Sequence, residues 1–126
     1  MPFSVIASGQ KRRMLYWAAA SAEAKASLAN CPDIGKSEML KIARIARIYI
    51  ETGSFPQNSE KFKKVEGQKD LFSIKAHQIR LLGSFLDQCT FGVAWCIRKK
   101  RNKHRAQDLE KALANVALMK REWENE

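Results

Sequence analysis

The apolar residues of this chain change their spacing near residue 71, and this change constrains the fold more than any other feature of the sequence. Between residues 37 and 52 they recur every three or four positions, which is typical of one face of an α-helix. Between residues 71 and 97 they alternate with polar residues or form short runs bounded by turn residues, which is typical of β-strands. The sequence therefore predicts an α+β fold in which helices precede a small antiparallel sheet.

Three strands are predicted after this change, over residues 71–75, 79–86 and 91–97. The turns between them are short, so the strands should form an antiparallel meander. Gly83 and Gly92 interrupt two of the strands and indicate bulges or close packing. One face of the last strand should carry four apolar residues: Phe91, Val93, Trp95 and Ile97.

Two helices are predicted before the strands and one after them. The first begins at Ser21, a favourable N-cap residue, and ends before Pro32. The second begins at Ser37 and ends at Gly53, and its short connection to the first predicts an antiparallel helical hairpin. A C-terminal helix is predicted over residues 105–124. The second helix should bury one face: Met39, Ile42, Ala43, Ala46, Tyr49 and Ile50.

The chain has 126 residues, a length typical of one domain. Residues 1–13 end in a Lys-Arg-Arg run and are predicted to form a flexible basic arm, and residues 14–126 to form a single folded domain. Residues 14–18 are apolar and fit either a strand or the start of a helix. No apolar run is long enough to span a membrane and the N-terminus lacks a secretory pattern, so a cytoplasmic protein is expected.

The cysteines and histidines argue against a disulfide framework or a metal centre. Cys31, Cys89 and Cys96 form an odd and sparse set, which favours buried thiols. Two histidines and no Cys-x-x-Cys spacing leave almost no ligands for zinc. We therefore expect neither a metal nor a cofactor.

Positive charge is concentrated in one part of the chain. Lysine and arginine total 23 against 13 acidic residues, a net charge of +10. Residues 61–105 contain twelve basic and three acidic residues and carry +9 of that charge. Such a concentration indicates a polyanionic partner, nucleic acid above all, although a solvated basic face that aids solubility is the alternative.

Hairpin register predicts where these cations meet. If the second turn of the meander is centred between Gln88 and Cys89, Arg80 lies opposite Ile97. The preceding turn at His77 then places Lys75 beside Arg80. One end of the sheet, called the basic end below, should therefore gather Lys75, His77, Arg80 and the run Arg98, Lys99, Lys100 and Arg101.

A cluster of this kind can bind phosphates or stabilise the charge that develops on a phosphodiester during cleavage. Cleavage also needs a general base, and His77 and His104 both flank the basic end. Each of them is equally compatible with an ordinary surface histidine. The three tryptophans, Trp17, Trp95 and Trp123, are predicted to pack in the core rather than to stack on bases.

Four short segments, in this order, resemble the toxins of the RelE/ParE superfamily, in particular their HigB-like and phage-derived branch. They are residues 62–75 (FKKVEGQKDLFSIK), 78–82 (QIRLL), 97–103 (IRKKRNK) and 108–112 (DLEKA). The resemblance implies a RelE-like fold, in which an N-terminal helical hairpin packs on a small antiparallel sheet followed by a C-terminal helix.

The resemblance also implies a type II toxin of a toxin–antitoxin pair that cleaves mRNA on the ribosome without metal or cofactor. Its partners would be RNA or the ribosome and a cognate antitoxin protein. Arg80 matches the strand arginine of the family, Lys99 and Lys100 match its basic pair, and Lys75 matches the basic residue that ends the preceding strand. The expected catalytic residues are Arg80, Lys100 and His104. The expected nucleic-acid-binding residues are Lys75, His77, Arg98, Lys99, Arg101 and Lys103.

This chain departs from the family in its catalytic residues, and it also lacks the acid–aromatic–histidine cluster of some HigB proteins. Some members carry a catalytic tyrosine near the C-terminus, whereas the tyrosines here are Tyr16 and Tyr49. Other members bind gyrase and do not cut RNA. The alternative is therefore a non-enzymatic binder, of phage or plasmid origin, that inhibits gyrase or other host nucleic-acid machinery; a plain DNA- or RNA-binding accessory protein is a third.

Overall fold

The computed structural model describes residues 3–17, 35–53, 62–65, 67–68, 70–98 and 106–125. Its strands are β1 (Phe3–Ser8), β2 (Arg13–Trp17), β3 (Phe62–Lys64), β4 (Phe72–Ala76), β5 (Ile79–Asp87) and β6 (Thr90–Arg98), and its helices are α1 (Lys36–Thr52) and α2 (Ala106–Glu124). These strands form one sheet in the order β1-β2-β6-β5-β4-β3. β2 and β6 run parallel, and the other neighbouring strands run antiparallel.

The two described helices pack on opposite faces of the sheet. α1 buries Ile42, Ile45 and Tyr49 in one core cluster with residues of β2, β4, β5 and β6. α2 buries Val116 and Met119 in a second cluster on the other face. Neither of these helices is long and apolar enough to cross a membrane.

The predicted meander is confirmed. Strands expected at residues 71–75, 79–86 and 91–97 are present as β4, β5 and β6, displaced by a residue or so at their ends. Arg80 lies opposite Ile97, as the turn position predicts. The end of α1 is confirmed as well, because Gly53 has a left-handed φ of 72° and its N–H donates to the carbonyl of Tyr49.

The predicted N-terminal helical hairpin is wrong. The described chain begins with two strands, α1 follows β2, and the next described helix is C-terminal. The helix expected between Ser21 and Pro32 lies outside the described residues. The sheet is mixed rather than antiparallel, because β2 joins it parallel to β6.

Burial explains why residues 14–18, where the structure has β2, fitted either a strand or the start of a helix. β2 lies between β1 and β6, and Met14, Leu15 and Trp17 are all buried, so its sequence shows no alternation. The segment 1–13, predicted as an arm, contains β1, which pairs with β2. β3 lies within residues 54–70, which were expected to form a loop.

A bulge in β6 divides its apolar residues between the two faces. Leu82 pairs with Trp95 and Gly83 pairs with Val93, so Ala94 is an extra residue in β6. As a result Phe91 and Val93 belong to the cluster around α1, whereas Trp95 and Ile97 pack in the cluster around α2. The prediction that these four residues share one face is wrong for this reason.

Asn115 of α2 stabilises the bulge. Its side chain is buried, and its Nδ2 donates to the carbonyl oxygen of Ala94 at 3.3 Å. A bulge interrupts the hydrogen bonds between strands, so this amide supplies a partner for the backbone where the ladder is broken. The same contact fixes α2 relative to β6.

The buried stripe of α1 is rotated from the predicted one. Ile45 is buried, whereas Met39 is 49% exposed. Glu38 is buried in its place, and its Oε1 accepts the N–H of Gly35 at 3.0 Å at the start of the helix. This hydrogen bond allows a carboxylate to replace an apolar residue at that position.

Gly83 and Gly92 provide a test of the close packing at the bulge. A Cβ at Gly83 would overlap the backbone of Gly92, which cannot move without opening the β5–β6 ladder. A Cβ at Gly92 would meet flexible atoms, Sδ of Met119 at 2.7 Å and Cδ1 of Leu86 at 2.8 Å. We predict that Gly83→Ala lowers the free energy of unfolding by about 3 kcal/mol, and Gly92→Ala by about 1 kcal/mol. Urea denaturation of both variants measures the difference, and equal losses would contradict the packing described here.

Candidate nucleic-acid interface

The β4–β5 turn brings three of the predicted site residues together. Lys75 lies directly opposite Arg80 across the β4–β5 ladder, and His77 is in the turn that joins them. Arg98, the last residue of β6, pairs with Ile79. The described backbone of the basic end therefore has the predicted arrangement.

Arg80 is the most constrained of these residues. It is 5% exposed, and its Nη1 donates to the carbonyl oxygens of His77 at 2.7 Å and Ile79 at 3.1 Å. Burial lowers the pKa of its guanidinium below the ordinary value, although an arginine stays charged at neutral pH. Among the described residues, no carboxylate pairs with it and its Nε and Nη2 have no acceptor. The cation is therefore held rigidly, with donors left over for a ligand.

His77 occupies an unusual backbone conformation. Its φ is 55°, in the left-handed region that few residues other than glycine adopt, although histidine, asparagine and aspartate do so more often than most. The side chain is exposed to solvent. The hydrogen bond from Arg80 to the His77 carbonyl stabilises this conformation, so the arginine and the turn depend on each other.

The other predicted site residues follow β6. Only the backbone of Arg98 is described, and Lys99, Lys100, Arg101, Lys103 and His104 lie outside the described residues. Their assignment to the basic end depends on sequence alone. The described part of β6 ends at Arg98, which lies beside the β4–β5 turn.

A second group of cations lies at the opposite end of the sheet. Lys11, Arg12 and Arg13 form the β1–β2 turn and the start of β2, and they line a pocket of about 290 Å³ beside the β5–β6 turn. These residues belong to the segment 1–13, which was predicted to form a flexible arm. The signal that could have located them is their position between two apolar segments, which is typical of a hairpin turn.

The tryptophans and cysteines are placed partly as predicted. Trp17 and Trp95 are buried in the cluster around α2, and Nε1 of Trp17 donates to Oε2 of Glu122 at 2.7 Å. Cys96 is buried, but Cys89 is exposed in the β5–β6 turn, so the prediction of buried thiols is wrong for Cys89. No group of described residues has the composition and spacing to hold a metal ion.

Comparison with known proteins identifies no relative of this chain. It matches no protein-family profile, no curated protein and no solved structure.

The structural role of Arg80 can be separated from that of Lys75. Arg80→Leu removes the donor to two carbonyls and should lower the free energy of unfolding by about 1–3 kcal/mol. Lys75→Leu, directly opposite and half-buried, should change it by about 0.5 kcal/mol or less. Chemical denaturation of the two variants is the measurement. Equal stabilities would show that the two hydrogen bonds of Arg80 contribute nothing to the fold.

Proposed function

We propose that this protein is a toxin of a type II toxin–antitoxin pair that cleaves mRNA on the ribosome, with the RNA backbone lying against the basic end. The observation that carries the proposal is the Lys75–Arg80 pair beside the His77 turn, in which a buried guanidinium is fixed by two carbonyl oxygens. The resemblance of four sequence segments to the RelE/ParE superfamily supports it. The proposed site of action is the cytoplasm, and a cognate antitoxin protein is the proposed inhibitor.

The charge distribution favours an RNA partner. The chain carries a net charge of +10, and residues 61–105 carry +9 of it. This segment includes both strands that form the His77 turn and the basic run that follows β6. Cations gathered at one end of a sheet attract and orient a phosphate backbone without reading its bases.

The proposed reaction is transesterification within the RNA. The 2′-oxygen forms a bond to phosphorus while the bond from phosphorus to the 5′-oxygen breaks. A general base accepts the 2′-hydroxyl proton, a general acid donates a proton to the leaving 5′-oxygen, and a 2′,3′-cyclic phosphate results. Arg80 would stabilise the negative charge on the pentacovalent phosphorus, because a donor that is already oriented need not reorganise during the reaction. His104 is proposed as the base, with Lys100 as a second cation on the phosphate.

One observation favours the alternative of a non-enzymatic binder on this scaffold. Arg80 is 5% exposed and both hydrogens of its Nη1 are used by backbone carbonyls, an arrangement that also serves to stabilise a turn. In that case the exposed cations alone would bind the partner, and inhibition of gyrase or another nucleic-acid machine would replace cleavage.

Arg80→Lys separates catalysis from binding, because lysine keeps the charge and loses the fork of donors. Against ribosomes programmed with mRNA, its cleavage rate should fall by about 10²-fold or more. Its RNA affinity should change much less, since one charge among many is retained. Arg44→Lys, the same exchange on the exposed face of α1, is the matched control, and Arg44→Gln is the control for loss of a cation.

Absence of cleavage by the wild-type protein on programmed ribosomes, with RNA binding retained, would exclude the enzyme and favour the binder. Unfolding free energies of the same samples show whether Arg80→Lys acts through stability.

Binding at the basic end should depend steeply on salt. For single-stranded nucleic acid, log affinity falls with log salt concentration by about 0.7 per phosphate contact. Lys75→Gln should reduce that slope by about 0.7 without altering sequence preference. His77→Asn keeps a residue that tolerates the left-handed conformation and removes the imidazole, so it tests the side chain alone. A salt slope near zero for the wild-type protein would count against a phosphate-binding site.

A further inference from the structure

The pocket beside the β5–β6 turn has the composition of a site for anions. It is about 290 Å³ in volume, and three consecutive cations, Lys11, Arg12 and Arg13, are among its lining residues. The hydroxyls of Ser8 and Thr90 also border it, and Asp87 is the one acidic residue in its lining. One oxygen of that carboxylate is already used, because Oδ1 accepts the N–H of Cys89 at 2.8 Å.

The two turns that form the pocket are fixed to each other. The N–H of Arg13 donates to the carbonyl of Cys89 at 2.9 Å, which joins the two turns. The N–H of Gly9 donates to the carbonyl of Arg12 at 2.8 Å, which closes the β1–β2 turn itself. The first of these bonds begins the parallel β2–β6 pairing, in which Arg13 lies opposite Thr90. The pocket is therefore preformed and does not require a loop to close.

Arg13 is oriented by two contacts. Its Nε lies 3.4 Å from Oγ1 of Thr90, and its guanidinium carbon lies 5.1 Å from the ring centre of Trp123. Such a cation–π contact holds the guanidinium plane without using its terminal donors. Among the described residues, its two Nη groups have no hydrogen-bond acceptor. An oriented fork of N–H groups is the arrangement that recognises phosphate.

Arg12 and Lys11 are the other two cations in the lining of the pocket. Nη1 of Arg12 lies 3.5 Å from the carbonyl of Ile50 near the end of α1, against Gly53, where any Cβ would overlap the guanidinium. Lys11 is exposed in the turn. Burial raises the pKa of the nearby Tyr49 hydroxyl, and the charge of Arg12 opposes that rise. The pocket thus carries three cations against one acid.

We propose that this pocket is a second phosphate-binding site, which holds a phosphodiester of the same RNA that lies at the basic end. The inference rests on the proposed function, since it takes the ligand to be RNA. β5 separates the two sites by nine residues, or about 30 Å at about 3.3 Å per residue. An RNA that occupies both must therefore span several nucleotides, and one that is too short occupies only one.

Lys11→Gln tests the second site without disturbing the fold, because Lys11 is exposed in a turn. With a single-stranded RNA of roughly 16 nucleotides, the upper end of ordinary site sizes, affinity should fall and the salt slope should decrease by about 0.7. Arg13→Lys keeps the charge and loses the fork of N–H donors, so it should weaken RNA binding less than Lys11→Gln does. Arg44→Gln is again the control, and an effect of Lys11→Gln no larger than that of the control overturns the proposal.

Cys89 provides a second readout inside the pocket. It is exposed and Cys96 is buried, so iodoacetamide should label Cys89, as read by peptide mass analysis. At saturation, the same single-stranded RNA should slow the labelling of Cys89 by at least about tenfold. Protection by inorganic phosphate together with none by RNA would overturn the proposal, since the pocket would then serve a small anion.

The two proposals fail in different ways. Suppose that Lys75→Gln weakens RNA binding, that Lys11→Gln does not, and that RNA does not protect Cys89 from labelling. The second site is then absent and the basic end stands. If Lys11→Gln and Cys89 respond as expected but ribosomes are not cleaved, the second site stands and the nuclease does not.

Discussion

The parallel pairing of β2 with β6 is the constraint on which the rest of the structure depends. It places β2 inside the sheet, where Met14 and Trp17 are fully buried, and adds β1 as a further strand at the edge. It also sets the β1–β2 turn beside the β5–β6 turn, through the hydrogen bond from Arg13 to the Cys89 carbonyl. The cations of the first turn are thereby separated from those of the His77 turn by the length of β5. This one pairing thus places a second group of cations at the end of the sheet opposite the basic end.

The bulge at Ala94 determines on which face of the sheet the side chains at each end of β6 lie. Arg80 alternates with Ile79 and Leu81, which pack in the cluster around α1, so its side chain lies on the α2 side. Its partner Ile97 faces the same side only because the bulge shifts the phase of β6 by one residue. Without the extra residue, either Phe91 or Ile97 would leave its cluster. The Asn115 amide donates a hydrogen bond to the bulge, and it therefore contributes to the phase of β6 opposite Arg80.

The sequence predicted those parts of the fold that local pattern controls. Two short turns, and apolar residues that alternate with polar ones or form short runs, predicted β4, β5 and β6. The register opposite Arg80 followed from the position of the turn. The sequence left β2 open between a strand and a helix, because a strand covered on both faces and at both edges has the same apolar run as a short helix. Gly83 and Gly92 indicated the bulge or close packing that the structure shows between β5 and β6, but not that Ala94 would be the extra residue. The pocket at Lys11 was missed because it depends on long-range pairing, whereas the basic end depends on a two-residue turn.

Three arginines at the ends of this sheet combine a structural contact with an available charge. Arg80 bonds to the carbonyls of its own turn, Arg12 lies at the carbonyl end of α1, and Arg13 stacks on Trp123 near the end of α2. Arg12 and Arg13 reach opposite helices because successive residues at a strand point to opposite faces. A guanidinium has five N–H donors, so it can satisfy a backbone carbonyl and still bind a phosphate, which a lysine cannot do with the same rigidity. For a ligand such as RNA, whose charges are regularly spaced, rigid cations fixed by the fold lose less entropy on binding than flexible ones. The same contacts that stabilise the turns and helix ends therefore hold a rigid cation at each end of the sheet.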